Sequence, residues 1–208
     1  MSAEDALTAP YRIETDRLVL RCWDPRDAEL LKHAVDASID HLLPWMPWAA
    51  NEPQSIEEKV ALLREFRGRF DLGQDFTYGI FDRDESEVVG GTGLHTRIGP
   101  EALEIGYWIS ATHAGSGFGS EATAALTRVA FELTDIDRLE IRCEPANERS
   151  RAIPRKLGYT EEATLRRRLH YPDPRDVVVY TLFREDFEAS PAAHAAVEAY
   201  DAVGTRVL

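Results

Sequence analysis

Cysteine, positive charge and long apolar runs are all scarce in this chain of 208 residues. Its two cysteines, Cys22 and Cys143, lie far apart and form neither a CxxC pair nor a zinc-ligand spacing, which excludes a disulfide scaffold and a zinc finger. We expect both to be buried thiols of a cytoplasmic protein. With 24 basic and 37 acidic residues, the net charge of −13 argues against nucleic acid as the main partner.

Membrane and export signals are also missing from the sequence. No apolar run approaches the roughly 18 residues of a membrane span. Residues 1–10 include Glu4 and Asp5 and lack the basic start and apolar stretch of a signal peptide, so we expect no leader there. The composition, 44% hydrophobic and 29% charged, is that of a globular chain, and its length predicts one domain.

Hydrophobic periodicity predicts a mixed α/β domain rather than a regular doubly wound repeat. The predicted order is a strand, two helices, three strands of an antiparallel meander, a helix, a strand, a helix and two strands. Strands are predicted over residues 11–23, 76–81, 88–95, 103–109, 138–143, 159–168 and 177–183. The helices are predicted from Asp24-Pro25 to about Ala37, over residues 55–70, after Gly119 and over residues 148–157.

Two segments are expected to lie outside these regular elements. Residues 38–50 are predicted to be irregular because Pro44 and Pro47 interrupt any helix there. The domain is expected to cover residues 11–187. Residues 188–208 are expected to form a C-terminal tail that is either a peripheral helix or disordered.

Glycines 115, 117 and 119 separate a predicted strand from a predicted helix, which in outline is a phosphate site. The first N–H groups of a helix have no internal partner and carry partial positive charge, and glycine lets an anion approach the backbone. No Lys-Ser/Thr follows Gly119, so this is not a Walker loop, and the GxGxG spacing is a poor dinucleotide fingerprint. A flexible turn is the structural alternative.

A basic stretch follows the predicted helix. Residues 142–168 contain eight Arg or Lys and four Glu, a net charge of +4, whereas the remainder of the chain carries −17. Such a basic island faces a phosphorylated ligand or forms a solvated surface, and both interpretations stay open.

Several runs of residues together resemble the GNAT acetyltransferases. They are EIGYWI at 104–109, GSGFGSEA at 115–122, NERS at 147–150 and KLGY at 156–159. The runs TDRLVLR at 15–21 and LPWMPW at 43–48 resemble the RimJ/RimL branch, which includes enzymes that acetylate N-termini of ribosomal proteins. The resemblance covers about residues 11–187. It implies a GNAT-like fold, with a central, mostly antiparallel sheet that is splayed at the cofactor site and has helices on both faces.

The resemblance implies acetyl-CoA as co-substrate and no metal. The pyrophosphate would lie on the amides of the glycine loop, namely Gly115, Ser116, Gly117, Phe118, Gly119 and Ser120. The pantetheine arm would pair with the backbone of Tyr107, Trp108 and Ile109, and the side chain of Asn147 would contact the cofactor.

Two departures from the family pattern stand out. Ala114 occupies the position where the family loop usually starts with Gln or Arg, so either one pyrophosphate contact is missing or Arg149 or Arg151 replaces it. Pro154 occupies the position where many members carry a Tyr that protonates the departing thiolate. Proline inside a helix also predicts a break or a kink at this point.

Glu104 is the predicted general base, because it is the one charged residue of its strand and can act through a water molecule. A carboxylate on a solvated strand face is the alternative. His95 is a second candidate base. His113 precedes the glycine loop and is a candidate for contact with cofactor or substrate, whereas His170 is expected to be exposed.

The leaving thiolate needs little assistance, since simple thiols have a pKa near about 8.5. Ser150 or water is expected to supply its proton. The backbone N–H of Ile109 is expected to polarise the thioester carbonyl. Trp45 and Trp48 are candidates for the wall of the acceptor site, where tryptophan can cover a cation, with core packing as the alternative.

The sequence therefore favours an acetyl-CoA-dependent N-acetyltransferase that acts on a protein or peptide α-amine. Three alternatives remain: an acetyltransferase for a small amine such as an antibiotic, polyamine or amino acid; a non-catalytic acyl-CoA or nucleotide-binding module; and a dinucleotide oxidoreductase. Expected partners are acetyl-CoA and an amine acceptor, without nucleic acid or membrane. The resemblance also implies a homodimer.

Overall fold

The computed structural model describes residues 9–170 and 172–208. Residues 1–8, which belong to the segment predicted to contain no signal peptide, lie outside the described residues. Tyr171, part of the predicted turn beside His170, also lies outside them. Among the helices within these bounds, none combines the length and apolar character that crossing a bilayer requires.

The described residues form one nine-stranded, mostly antiparallel sheet with the strand order β7-β8-β6-β5-β4-β3-β2-β1-β9. The strands are β1 Arg12–Glu14, β2 Leu18–Cys22, β3 Phe76–Asp82, β4 Val88–His95, β5 Ala102–Ile109, β6 Arg138–Cys143, β7 Thr160–His170, β8 Pro174–Phe183 and β9 Glu198–Tyr200. The predicted meander of β3, β4 and β5 is confirmed, because each is paired antiparallel with the next.

Six α-helices connect these strands within the described residues. They are α1 Ala28–Asp36, α2 Ile39–Leu42, α3 Ile56–Asp71, α4 Phe118–Leu133, α5 Glu148–Lys156 and α6 Arg184–Phe187. The start of α3 follows the sequence closely: Glu58 N donates to Ser55 Oγ at 3.2 Å, and Ser55 N donates to Glu58 Oε2 at 2.7 Å. The segment predicted to be irregular contains α2 and a 3-10 turn at Pro47–Asn51.

Helices cover both faces of the sheet, as the fold prediction requires. Alternate residues of a strand point to opposite faces, and β2 shows the division directly. Val19 belongs to the apolar cluster that contains α1 and Leu63 of α3. Leu18 and Leu20 belong to the larger cluster on the other face, which contains the apolar stripe of α4.

The sheet parts between β5 and β6. These two strands run parallel and pair only over Ala102–Glu104 against Arg138–Glu140. Beyond Glu104, β5 continues beside β4 to Ile109, while β6 continues beside β8 to Cys143. The backbone edges of the two strands therefore face each other across a widening gap, which is the predicted splay.

The prediction for the C-terminal tail is wrong. Residues 191–194 form a 3-10 turn, and β9 pairs antiparallel with β1, so the tail supplies an edge strand of the sheet. Ala192 and Ala199 are fully buried in the larger apolar cluster. The high alanine content of residues 188–208 suggested a helix. Alanine is also suited to close packing against the edge of the sheet, because its side chain is small.

Candidate active site

The glycine loop between β5 and α4 presents free backbone amides. Gly117 is the N-cap of α4 and has a φ of +87°, a backbone conformation that residues other than glycine rarely adopt. The first bond of the helical ladder runs from Glu121 N to Gly117 O at 3.1 Å. The N–H groups of Phe118, Gly119 and Ser120 therefore precede the ladder and are available to an anion.

Arg17 brings a positive charge to this loop. Its Nη1 donates to Ser116 O at 3.1 Å, its guanidinium lies 4.6 Å from the ring centre of Phe118, and its Nε donates to Glu121 Oε2 at 2.7 Å. Half of the Arg17 side chain is exposed to solvent. The loop thus has a basic neighbour despite Ala114, and it fits a diphosphate.

The expectation that Arg151 serves the loop is wrong. Its guanidinium points to the other side of α5, where it donates to Tyr180 Oη at 3.1 Å and to Glu148 Oε1 at 2.5 Å and lies 3.4 Å from Glu161 Oε2. These partners hold it against β7 and β8. Arg149 is exposed, and its role stays a prediction.

A cavity of about 1250 Å³ opens at the parted strands and extends over the α1 and α3 side of the sheet. It gathers predicted site residues from distant parts of the sequence: Trp45, Trp48, Glu104, Tyr107, Trp108, Asn147 and Ser150. Among the described residues, its lining includes neither Ile109 nor the glycine loop. The glycine loop and the cavity are thus lined by different residues, and they are called the donor loop and the acceptor cavity below.

Glu104 lies where β5 leaves β6 and is 6% exposed. Arg97 clamps its carboxylate from the cavity side, with Nη2 at 2.5 Å from Oε1 and Nε at 3.1 Å from Oε2. The hydrogen bond to Glu104 raises the pKa of Arg97. Arg142 Nε is 4.0 Å from Oε2. Glu104 is therefore a buried, salt-bridged carboxylate facing the cavity.

His95 lies opposite Glu104 in the register of β4 and β5. Its Nδ1 is 2.9 Å from Asp75 Oδ1, and with Nδ1–H as donor this contact leaves Nε2 as the acceptor. A Cβ on Gly93 would lie 2.7 Å from Cε1 of the His95 ring, so a residue with a side chain at position 93 would displace this ring. Burial opposes ionisation of Asp75, but the pKa of Asp75 is lowered, and the hydrogen bond from His95 is the largest cause of this lowering.

Ser150 and Tyr107 meet on the α5 side of the parted strands. Tyr107 Oη donates to Ser150 O at 3.0 Å and is 3.1 Å from Ser150 Oγ. Burial raises the pKa of Tyr107. The phenol is therefore neutral at physiological pH and serves as a hydrogen-bond donor.

Pro154 does not break α5, so of the predicted break or kink the break is wrong and the kink stays a prediction. The helix continues to Lys156. Proline has no N–H to give to the carbonyl four residues earlier, which is Ser150 O, and this is the atom to which Tyr107 donates. The hydroxyl of Tyr107 thus takes the place of the missing helical donor at Ser150 O.

Asn147 caps α5 as well as lining the cavity. Its Oδ1 accepts a hydrogen bond from Ser150 N at 3.1 Å, as an N-cap side chain does. This bond uses the side-chain oxygen and leaves the amide nitrogen for a ligand. Cys143 lies nearby at the end of β6, and burial raises the pKa of its thiol to about 11, so it is no nucleophile at neutral pH.

Tryptophans form one wall of the cavity. The rings of Trp48 and Trp108 meet edge to face with centres 5.8 Å apart. Lys59 of α3 and Glu52, both almost fully buried, form an ion pair behind the turn that carries Trp48. The contact with Trp108 gives Trp48 a packing role in addition to its predicted role as a wall.

The other histidines and Cys22 do not face the cavity. His113 Nδ1 is 2.8 Å from Ser110 Oγ, and its ring packs beside Phe118, so His113 shapes the loop. His170 is exposed, as predicted. Burial raises the pKa of Cys22 to about 12. Within the described residues, no group of three or more His, Cys, Asp or Glu side chains has an arrangement for a metal ion.

Sequence reasoning missed Asp75 and Arg97 and gave Arg17 no role. Asp75 reaches His95 across 20 positions, and Arg17 reaches Glu121 across 104. Neither spacing produces a periodic signal. Only the fact that Arg97 follows His95 by two positions hinted that this strand end is polar.

With this geometry described, comparison with known proteins identifies the family. The model of the acetyltransferase (GNAT) domain matches residues 17–160. The chain belongs to the GNAT acetyltransferase family. It is therefore an N-acetyltransferase with acetyl-CoA as co-substrate, and the exposed loop amides and the parted strands are the features that fit this donor.

Relatives of this GNAT enzyme include ribosomal-protein acetyltransferases. It is 30% identical over 156 residues to the ribosomal protein uS5-alanine N-acetyltransferase of Escherichia coli K12, covering 73% of this chain and 79% of that one. RimJ of Mycobacterium smegmatis, solved with a CoA disulfide, superposes with a TM-score of 0.77 at 26% identity, covering 93% and 95% of the two chains. RimL, a ribosomal L7/L12 α-N-protein acetyltransferase solved with coenzyme A, gives a TM-score of 0.74 at 26% identity over 81% and 95%.

Proposed function

We propose that this GNAT enzyme transfers the acetyl group of acetyl-CoA to the N-terminal α-amine of a protein or peptide by direct attack in a ternary complex. The observation that carries the proposal is the cavity of about 1250 Å³ that meets the parted strands. It exceeds the roughly 300–1,000 Å³ of ordinary small-molecule sites, which supports room for an acceptor beside the pantetheine arm that the same cavity would receive at Tyr107, Trp108 and Asn147. The uS5-alanine and L7/L12 enzymes, which it resembles, support the same acceptor class.

The chemistry of an α-amine suits this site. An α-amino group has a reference pKa of about 7.7 to 8.0, so roughly a tenth of it is neutral at pH 7, whereas a lysine amine at about 10.4 is almost wholly protonated. An α-amine therefore needs only modest help from a base.

In the proposed reaction, Glu104 accepts the amine proton through a water molecule. Its position at the floor of the cavity, opposite His95, supports this role. The nitrogen lone pair attacks the thioester carbon, the bond from carbon to sulfur breaks, and the thiolate leaves with the electron pair. Ser150 or water returns a proton to the sulfur, and the N–H of Ile109 polarises the carbonyl.

The donor would be held by the amides of the glycine loop, Gly115 to Ser120, and by Arg17 beside them. The backbone of Tyr107, Trp108 and Ile109 and the side chain of Asn147 would receive the pantetheine arm. Trp45 and Trp48 would border the acceptor. Acetyl-CoA supplies the activated acyl group, and the residues of this chain orient it, exclude water and move the proton.

An amine panel tests the proposal, with release of free thiol from acetyl-CoA as the readout. The panel contains peptides with a free N-terminus, the same peptides with a blocked N-terminus and an internal lysine, and small amines such as spermidine and amino acids. We expect turnover with the free peptides, and mass spectrometry should locate one acetyl group on the α-amine. Turnover confined to small amines would overturn the acceptor, and acetyl-CoA binding without any turnover would identify a binding module.

The same proposal locates the enzyme in the cytoplasm, which its two free, buried cysteines support. The net charge of −13 supports a function without nucleic acid as partner. A homodimer follows from the family resemblance alone, and light scattering after size-exclusion chromatography tests it.

A further inference from the structure

The hairpin of β7 and β8 carries three consecutive arginines that leave the strand ladder. Leu165 pairs with Val177 and Leu169 pairs with Arg175, so residues 166–168 stand opposite Asp176 alone. Arg167 has a φ of +54°, and its N–H donates to Asp176 Oδ1 at 2.9 Å. A bulge of this kind turns side chains away from the sheet, and all three arginines are exposed. We call residues 166–168 the arginine bulge.

The arginine bulge borders the acceptor cavity. Arg168 lines the cavity together with Leu165 and Leu169. On the neighbouring strand, Arg175 Nη1 donates to Pro44 O at 2.8 Å and to Glu144 Oε1 at 2.9 Å. These bonds join the hairpin to the segment that contains Trp45, so the bulge is held at the rim of the same cavity.

The arginine side chains of the bulge are not ion-paired within the described residues, and the Asp176 carboxylate opposite them accepts the backbone N–H of Arg167. Other arginines that line the cavity are paired: Arg97 with Glu104, Arg142 with Glu140 and Arg69 with Glu65. Across residues 9–170 and 172–208, no ion pair involves Arg166, Arg167 or Arg168. Three exposed guanidinium groups without an ion pair among the described residues thus lie in one bulge, and that of Arg168 lines the cavity, in a protein whose net charge is −13.

We propose that the arginine bulge binds carboxylates of the acceptor, so that the preferred substrate is a peptide or protein with acidic residues shortly after its reacting N-terminus. Guanidinium groups recognise carboxylates through two parallel hydrogen bonds. Glu104 and Arg168 line the same cavity, and an extended chain advances about 3.3 Å per residue, so we assign the acidic residues to positions shortly after the reacting amine. This inference rests on the proposed α-amine acceptor and adds the chemical class of its sequence.

Peptides of matched length test the inference. Three peptides share the first two residues and carry Asp and Glu, Asn and Gln, or Lys at positions three to six. For exposed ion pairs acting together, we expect kcat/KM to be about three- to tenfold higher for the acidic than for the neutral peptide, and lower again for the basic one. Raising the salt concentration should reduce the difference, since the arginines are exposed.

Substitution isolates the arginine bulge from general charge effects. In the double variant Arg166→Gln and Arg168→Gln, the acidic and neutral peptides should react with nearly equal kcat/KM. Arg64→Gln is the matched control, because Arg64 is exposed on α3 and does not line the cavity, and it should keep the preference of the parent enzyme. Circular dichroism checks that all variants fold.

Each remaining outcome decides against the inference in a recognisable way. Equal rates for acidic and neutral peptides in the parent enzyme would overturn it, as would a preference that survives the double substitution. If no free N-terminus reacts while small amines do, the proposed acceptor fails, and this inference fails with it. If labelled single-stranded RNA binds the parent enzyme but not the double variant, and peptide charge has no effect, the bulge is a nucleic-acid contact instead.

Discussion

The donor loop and the acceptor cavity lie at the same parted strands but are built in different ways. The donor loop is one continuous segment whose backbone amides, turned outward by Gly117, form the binding surface. The acceptor cavity is assembled from side chains as far apart as Trp48, Glu104 and Ser150. A site made of backbone in one segment leaves a pattern in the sequence, whereas a site made of scattered side chains does not.

A negative charge introduced at Gly117 should weaken acetyl-CoA binding at the donor loop without changing the acceptor cavity. Asp and Asn adopt a positive φ, like that of Gly117, more readily than most other residues besides glycine. The variants Gly117→Asp and Gly117→Asn therefore differ mainly in charge. We expect the Asp variant to bind acetyl-CoA about 10- to 100-fold more weakly than the Asn variant, since a carboxylate faces the diphosphate and competes for Arg17. Calorimetry measures this affinity, and equal affinities would reject the loop as the phosphate site.

The acceptor side has its own test at Glu104. We expect Glu104→Gln to lower kcat by about 100-fold, the usual scale of a lost general base, with little effect on acetyl-CoA affinity. Glu140→Gln is the matched control, because Glu140 is the register partner of Glu104, is equally buried and is also paired with arginine, but does not line the cavity.

The control should unfold more easily while retaining kcat. Near-normal turnover in Glu104→Gln would show that Glu104 is not the general base and would favour His95 in this role. In that case His95→Gln should carry the hundredfold loss that is expected of a general base.

Tyr107 and Pro154 lie between the two sides and are open to a double-mutant cycle. Tyr107→Phe leaves Ser150 O without its donor and should lower the free energy of unfolding by about 1–2 kcal/mol. In the Pro154→Ala background, Ala at this position supplies the N–H, so the same change should cost about half as much. Urea unfolding gives the four free energies, and kcat reports whether Ser150 keeps its orientation. Equal costs in both backgrounds would show that the phenol does not replace the missing helical donor.

The smallest expected effect concerns Asp75. The hydrogen bond with His95 lowers the pKa of Asp75 in the folded state. The contribution of Asp75 to stability is therefore fully present above the pKa of the unfolded state, about 4, and is lost as the pH falls through the lower pKa of the folded state. The partly exposed pair is worth under about 1 kcal/mol. The free energies of unfolding of the parent and of Asp75→Asn should differ by a constant amount from pH 5 to 6. This difference should shrink below pH 4. A difference that grows on acidification would contradict this assignment.

Much of the fold was accessible from the sequence because local signals coincide with local structure. The capping box at Ser55 and Glu58, the apolar stripe of α4 and the turns of the meander each act within a few residues. The structure of the tail and the continuation of the correctly predicted α5 past Pro154 escaped prediction for a shared reason. The burial of Ala199 depends on β1, and the continuity of α5 at Pro154 depends on a hydroxyl from β5, so in both cases the decisive partner is remote in the chain.

For the site, the sequence determined that a glycine-rich loop with exposed helix amides follows β5, since these amides depend only on where the helix begins. It also determined the family, through runs of residues that include this loop. Tertiary structure alone decided which side chains share the cavity, that Arg17 rather than Arg151 lies beside the loop, and that Arg166–Arg168 form no ion pair within the described residues. These facts depend on distances between remote segments, and such distances are set by how helices and strands pack, which no local pattern encodes.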